Sequence, residues 1–219
     1  MPEKRRETEV IRLLERYLIE VVERWNMCPW AKSARKNGEV AIGVVWGTPT
    51  VAEWAAAARA LLDQPTTRVA IVVAPEYDID RIDLHTVRND VSGAVGATGV
   101  AEFHPDAPLD LASPSRLVPF VRRSPDPMLQ LVPLTLLDAL RANSDSVTRV
   151  QQIGMLADLV PPSRPDPADM VAENNFETVS AAHADIVATL ADIAADRART
   201  YAALGLAATP LTAGTYRSP

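Results

Sequence analysis

The sequence predicts an α/β protein: a small, mostly parallel sheet of three to four strands with flanking helices and a helical C-terminal extension. Three observations predict it. Short β-branched apolar runs are separated by segments of helix length, which is the pattern of parallel strands joined by helical crossovers. One run, Thr67 to Ala74 (TRVAIVVA), has almost no polar alternation, as expected of a strand covered on both faces. The last third of the chain carries helical periodicity and few strand signals.

The elements follow in order. Val10, Leu13, Leu14, Tyr17, Leu18, Val21, Val22 and Trp25 recur at the three-four spacing of an amphipathic helix, so residues 7–25 are read as helix. Asn26-Met27 ends it. Cys28-Pro29 reads as a new helix start running to about Lys36, because proline suits the first helical position, and Asn37-Gly38 stops it. Glu39 to Trp46 is a strand. Thr50 caps an Ala-rich helix to about Leu62, and Thr67 to Ala74 is the second strand. A helix from about Asp78 to Val95 leads to a third strand, Gly99 to Phe103. Leu129 to Leu134 is a fourth candidate, placed at an edge or in a loop by Pro133, which has no N–H for a ladder. Helices are expected at about Leu134 to Ala142, Asp145 to Leu159 and Asp169 to Leu204, with a break at Pro161 to Pro167.

This divides the chain into a core domain (1–160), a C-terminal helical extension packing on it (161–207) and a loose tail (208–219). With 47% hydrophobic and 23% charged residues among 219, the chain has enough apolar surface for a real core. A net charge of -6 argues against a nucleic-acid partner. The early basic residues Lys4, Arg5 and Arg6 alternate with Glu3, Glu7 and Glu9, as on a solvated helix face. No signal peptide and no membrane span are read from the sequence, and the lone cysteine, Cys28, suits a reducing cytoplasm. Neither a disulfide within the chain nor a site of several thiolates is available to it.

Three short motifs carry the chemistry. Cys28 at a helix start would feel the positive end of the helix dipole, with Lys32 and Arg35 one and two turns on, and these favour a thiolate. The alternative is a small packed hydrophobe. His104, in Glu102-Phe103-His104-Pro105-Asp106, follows the third strand, where open parallel sheets bind ligands. Asp106 could orient its imidazole; the alternative is a histidine that merely ties a loop. Arg122-Arg123-Ser124-Pro125-Asp126-Pro127-Met128 places two arginines in a proline-stiffened loop, suited to clamping a carboxylate or phosphate or, alternatively, to salt bridges with Asp106, Asp110 or Asp126. His85 and His183 lie within predicted helices and read as surface or packing residues. Phosphate loops, dinucleotide fingerprints, paired-histidine metal motifs and nucleophile elbows are missing, so no cofactor and no metal are expected.

Asn26-Met27-Cys28-Pro29-Trp30-Ala31, Phe103-His104-Pro105 and Arg123-Ser124-Pro125-Asp126-Pro127-Met128-Leu129 together resemble the bacterial domain of unknown function 1415 family. That family looks like Asn-Leu-Cys-Pro-Phe-Ala, then Phe-His-Pro, then Asn-Arg-Ser-Pro-Tyr-Pro-Met-Leu-His-Leu. The resemblance spans about Trp25 to Leu131 and implies that the three motifs form one site, with the family's Cys, His and Arg falling on Cys28, His104 and Arg123. This chain departs from it: Arg122 stands for Asn, Asp126 for Tyr, Gln130 for the second His, and Pro133-Leu134 for Arg-Glu. Its C-terminal helices also look longer.

The leading expectation is a cysteine-dependent enzyme acting on a small anionic metabolite by acyl or amide chemistry. Cys28 is its nucleophile and His104, with Asp106, its acid/base. Lys32, Arg35, Arg122, Arg123 and Ser124 are the candidates for holding substrate. Thiol redox chemistry is a variant. A non-catalytic binding module for an anionic small molecule is the alternative. A homodimer through the C-terminal helix is a further reading, weaker than packing of that helix on its own sheet.

Overall fold

The computed structural model describes residues 2–139 and 167–206. A first helix, α1 (Pro2–Tyr17), continues as a π-helical turn (Leu18–Glu23). The chain then runs through α2 (Ala31–Lys36), β1 (Val40–Val44), α3 (Val51–Leu62), β2 (Val69–Val73), α4 (Arg81–Val95), β3 (Thr98–Phe103), α5 (Pro114–Val121) and β4 (Met128–Pro133). Residues 134–139 are helical. A long C-terminal helix, α6 (Pro167–Leu204), is two helices meeting at a kink at Ala182. The expected helix at Asp145 to Leu159, most of the Pro161 to Pro167 break and the tail from Ala208 lie outside the described residues.

The four strands form one open mixed sheet in the order β1-β2-β4-β3. β1 and β2 are parallel, while β4 runs antiparallel to both β2 and β3, so β1, β2 and β3 all point the same way. This corrects the placement of the fourth strand. It is an interior strand, with β3 at the edge. Pro133 is tolerated because it is the last residue of β4, opposite Thr98, where the ladder ends.

Helices cover both faces. Trp54 and Ala58 of α3 and Leu84 and Val91 of α4 pack on Ala70, Val72, Leu129 and Leu131. On the other face Ile71, Val73 and Met128 meet Leu13 and Tyr17 of α1, Leu117 and Phe120 of α5, and Val179, Ile186 and Ile193 of α6. β2 touches both layers, which is why its sequence lacks polar alternation. Each large apolar side chain so buried contributes roughly 1.5–3 kcal/mol, and α6 supplies several of them. It packs on α1, on the π-helical turn and on α5.

Local chemistry sets the ends. Thr50 and Glu53 form a reciprocal capping box on α3. Asp80 accepts from the amides of Ile82 and Asp83 to start α4, and Ser113 with Pro114 starts α5. Asn26, at φ 51°, takes the left-handed conformation that turns the chain out of the π-helical segment toward Cys28. Among the described residues, no helix is long and apolar enough to cross a membrane.

Candidate functional site

Strand alternation decides which motif side chains meet. In β3, Ala101 and Phe103 face the α1/α5/α6 layer, and Glu102 faces α4. In β4, Met128 and Gln130 share the side of Ala101 and Phe103. Ile71, Gln130 and Ala101 stand side by side across three strands and form the floor of a cavity of about 400 Å³. Its walls come from the π-helical turn, from Met27, Cys28 and Ala31, from Leu117 and Val121 of α5, and from Val171 and Asn175 of α6.

All three motifs therefore reach one cavity, with Cys28 and Arg122 there as expected and Phe103 and Met128 in place of His104 and Arg123. Cys28 lines it, as do Phe103 and Met128. His104 does not. It lines a second hollow on the α4 side, together with Arg81, His85 and Glu102. Its two ring nitrogens are both engaged: Nε2 donates to the carbonyl of Ile79 at 2.8 Å, and Nδ1 accepts from the amide of Asp106 at 3.0 Å. A buried imidazole held between a backbone acceptor and a backbone donor is a neutral staple for the loop ahead of α4. Asp106 thus orients the ring with its amide, and its carboxylate Oδ1 is buried without a hydrogen bond.

Cys28 also sits differently. Helix α2 begins at Ala31 with Trp30 at its N-cap, so the thiol lies before a six-residue helix and not on its cap. Burial pushes the Cys28 thiol up, and this outweighs the amides of Trp30 and Ala31, which act in the opposite sense. The thiolate expected from Lys32 and Arg35 is not favoured here. Lys32 is exposed and lines neither space. Arg35 does line the cavity, but its guanidinium grips both oxygens of the Glu23 carboxylate and lowers that group's pKa.

The arginine loop is braced from within. Arg123 Nε donates to the carbonyl of Pro105 at 2.9 Å, and the His104 amide donates to the carbonyl of Arg122 at 3.1 Å, so the second and third motifs are laced together. Burial lowers the pKa of Arg123, with Asp106 partly offsetting it. Ser124 Oγ donates to the carbonyl of Asp126 at 2.6 Å and is buried. Arg123 and Ser124 build the turn, and neither lines the cavity. Arg122 does. Its nearest carboxylate, Glu102, is 3.7 Å away and already holds His85 and Arg88 at 3.1 and 3.0 Å.

Sequence reasoning missed four contributors. Glu23 neutralises Arg35. Gln130 faces the cavity where the resembled family has histidine. Asn175, from α6, donates to the Met27 carbonyl at 3.1 Å and closes the wall behind the cysteine motif. Asp126 is buried and receives hydrogen bonds from Arg197 Nε and the Tyr201 hydroxyl, both at 2.7 Å. The extra helical length and the Asp126 substitution were legible signals, but only a contact joins them. No group of three or more His, Cys, Asp or Glu able to hold a metal occurs among the described residues.

Fold and site define an α/β protein with an open mixed sheet and an apolar, motif-lined cavity on one face. Residues 9–153 match the family model described as "Protein of unknown function (DUF1415)", well over half of the chain, and the chain belongs to that family. No curated protein and no solved structure matches it.

Proposed function

We propose that the chain binds a small amphipathic anion, with its apolar body in the cavity and its charged end at Arg122. The observation that carries this is the charge inventory of the wall. It is mostly apolar, Glu23 and Arg35 neutralise each other, and Arg122 has only the 3.7 Å approach of Glu102, a carboxylate it shares with His85 and Arg88. An apolar pocket of a few hundred Å³ with few convergent polar groups is the usual form of a small-molecule site. Gln130 adds an amide beside the ligand's body. The single cysteine fits a cytoplasmic location for this activity.

A second reading keeps Cys28 as a nucleophile in acyl or amide transfer. Its support is that the thiol lines the same cavity, where the backbone amides of Trp30 and Ala31 act to lower its pKa against the effect of burial. In that reaction the sulfur forms a thioester as the leaving group departs with the thiol proton, and water then releases the acid.

The test is thermal stabilisation by a series of linear carboxylates from butanoate to decanoate. Each added methylene should tighten binding about fourfold until the cavity is full. Arg122→Gln should weaken every member about tenfold or more, since a hydrogen bond to a charged group is lost. Binding should survive Cys28→Ala. Affinity independent of chain length would sink the proposal. Hydrolysis of a decanoyl ester that disappears with Cys28→Ala would favour the second reading.

A further inference from the structure

The hollow on the far side of β3 has a different character. It measures about 600 Å³ and is bounded by the first turns of α4, the end of β3 and α5. Arg81, His85 and Glu102 line it, and Arg122 reaches both this hollow and the apolar cavity. Glu102 is ionised, its pKa lowered by His85, Arg122 and Arg88 despite its partial burial. It holds His85 Nδ1 at 3.1 Å and Arg88 Nε at 3.0 Å, so it anchors the donors around it.

The positive charge exceeds what Glu102 neutralises. Of the residues that line the hollow, Arg81 and Arg122 are permanent cations and Glu102 is the one carboxylate, leaving one charge in excess. Arg81 makes no ion pair or side-chain hydrogen bond with a described residue, and Arg122 has only the 3.7 Å approach to Glu102. A guanidinium carries five donors, so most of those on Arg81 and Arg122 remain available. Arg81 is also the first residue of the fifteen-residue helix α4, whose dipole adds positive potential there. The nearby Asp80 carboxylate is turned inward onto the amides of Ile82 and Asp83.

We propose that this hollow is a second ligand site, one for the phosphate group of a small molecule, held between the guanidinium groups of Arg81 and Arg122 with His85 beside them. Two planar forks suit a tetrahedral group that offers several acceptor oxygens. The site shares Arg122 with the apolar cavity, whereas Arg81 and His85 do not line that cavity, so substitution of Arg81 separates the two.

The test uses the whole chain and inorganic phosphate, followed by NMR of the three histidine rings at constant ionic strength. Saturable shifts are expected at His85, smaller ones at His104, and none at His183. Arg81→Gln should weaken phosphate binding about tenfold or more, while decanoate binding stays unchanged. Arg81 is exposed, so this variant keeps its fold, and circular dichroism checks that. Non-saturable shifts, or unchanged affinity in Arg81→Gln, would overturn the site without touching the proposal for the cavity. Tighter binding of succinate than of phosphate would overturn the assignment to phosphate.

Discussion

Replacing Arg197 with methionine tests whether α6 is an integral part of the core. Arg197 is 2% exposed, donates to Asp126 at 2.7 Å and to the Pro75 carbonyl at 3.3 Å, and lies over the Tyr201 ring at 4.5 Å. Methionine keeps much of the volume but strands a buried carboxylate with Tyr201 as its remaining side-chain donor. Breaking one side of a buried ion pair costs about 3–5 kcal/mol. Tyr201→Phe removes one hydrogen bond to a charged group and should cost about 1.5–3 kcal/mol. Urea unfolding followed by tryptophan fluorescence gives both values. The deficit of Arg197→Met should depend on pH. Without Arg197, burial raises the folded pKa of Asp126 further above its unfolded value near 3.8. A raised folded pKa means that stability is retained at low pH and lost as pH rises through the folded value. The variant should therefore be closer to wild type at mildly acid pH than at pH 8. The double change Asp126→Asn with Arg197→Met should recover part of the loss. A cost below about 1 kcal/mol in Arg197→Met would refute this account of how α6 is held.

Three further outcomes follow from the geometry. Cys28 should react with iodoacetamide more slowly than a free thiol at neutral pH, because its pKa is raised, and the rate should climb steeply only in alkali. Asn26→Ala should cost about 1 kcal/mol in urea unfolding, because alanine resists φ 51°, whereas Asn26→Gly should be close to neutral. Asp196 bonds Arg12 at 2.8 Å and Arg16 at 2.7 Å, which holds its pKa at about 2. A depressed folded pKa contributes stability above the unfolded value that is lost as pH falls, so this tie between α1 and α6 should weaken from about pH 4 downward. Its size should be about 1 kcal/mol, and Asp196→Asn should flatten that acid limb in unfolding titrations.

The elements were legible because their signals are local. Thr50 with Glu53 announces α3, and the uninterrupted TRVAIVVA announces a strand covered on both faces. What was not legible is pairing. Nothing local to Met128–Pro133 says that it inserts between β2 and β3, and Pro133 pointed to an edge until the register placed it at a strand end. The candidate site shows the same division. The three motifs do converge, and the reading by residue type chose Cys28 and Arg122, which line the cavity, but also His104 and Arg123, whose Nε2 and Nε donate to the carbonyls of Ile79 and Pro105. Alternation brings Phe103 and Met128 to the cavity instead. Cys28 lies in the cavity wall, but its burial was invisible in a segment that reads as a helix start and begins helix only at Ala31.

The most direct test of the cavity proposal is a methyl-labelled NMR measurement with decanoate bound. Met27 and Met128 lie on different walls of the cavity and come from different motifs. The proposal predicts intermolecular contacts from the decanoate chain to both methionine methyl groups, retained in Cys28→Ala and lost with Arg122→Gln at the same ligand concentration. Contacts confined to exposed Met170, or absent from both Met27 and Met128 at saturation, would contradict it.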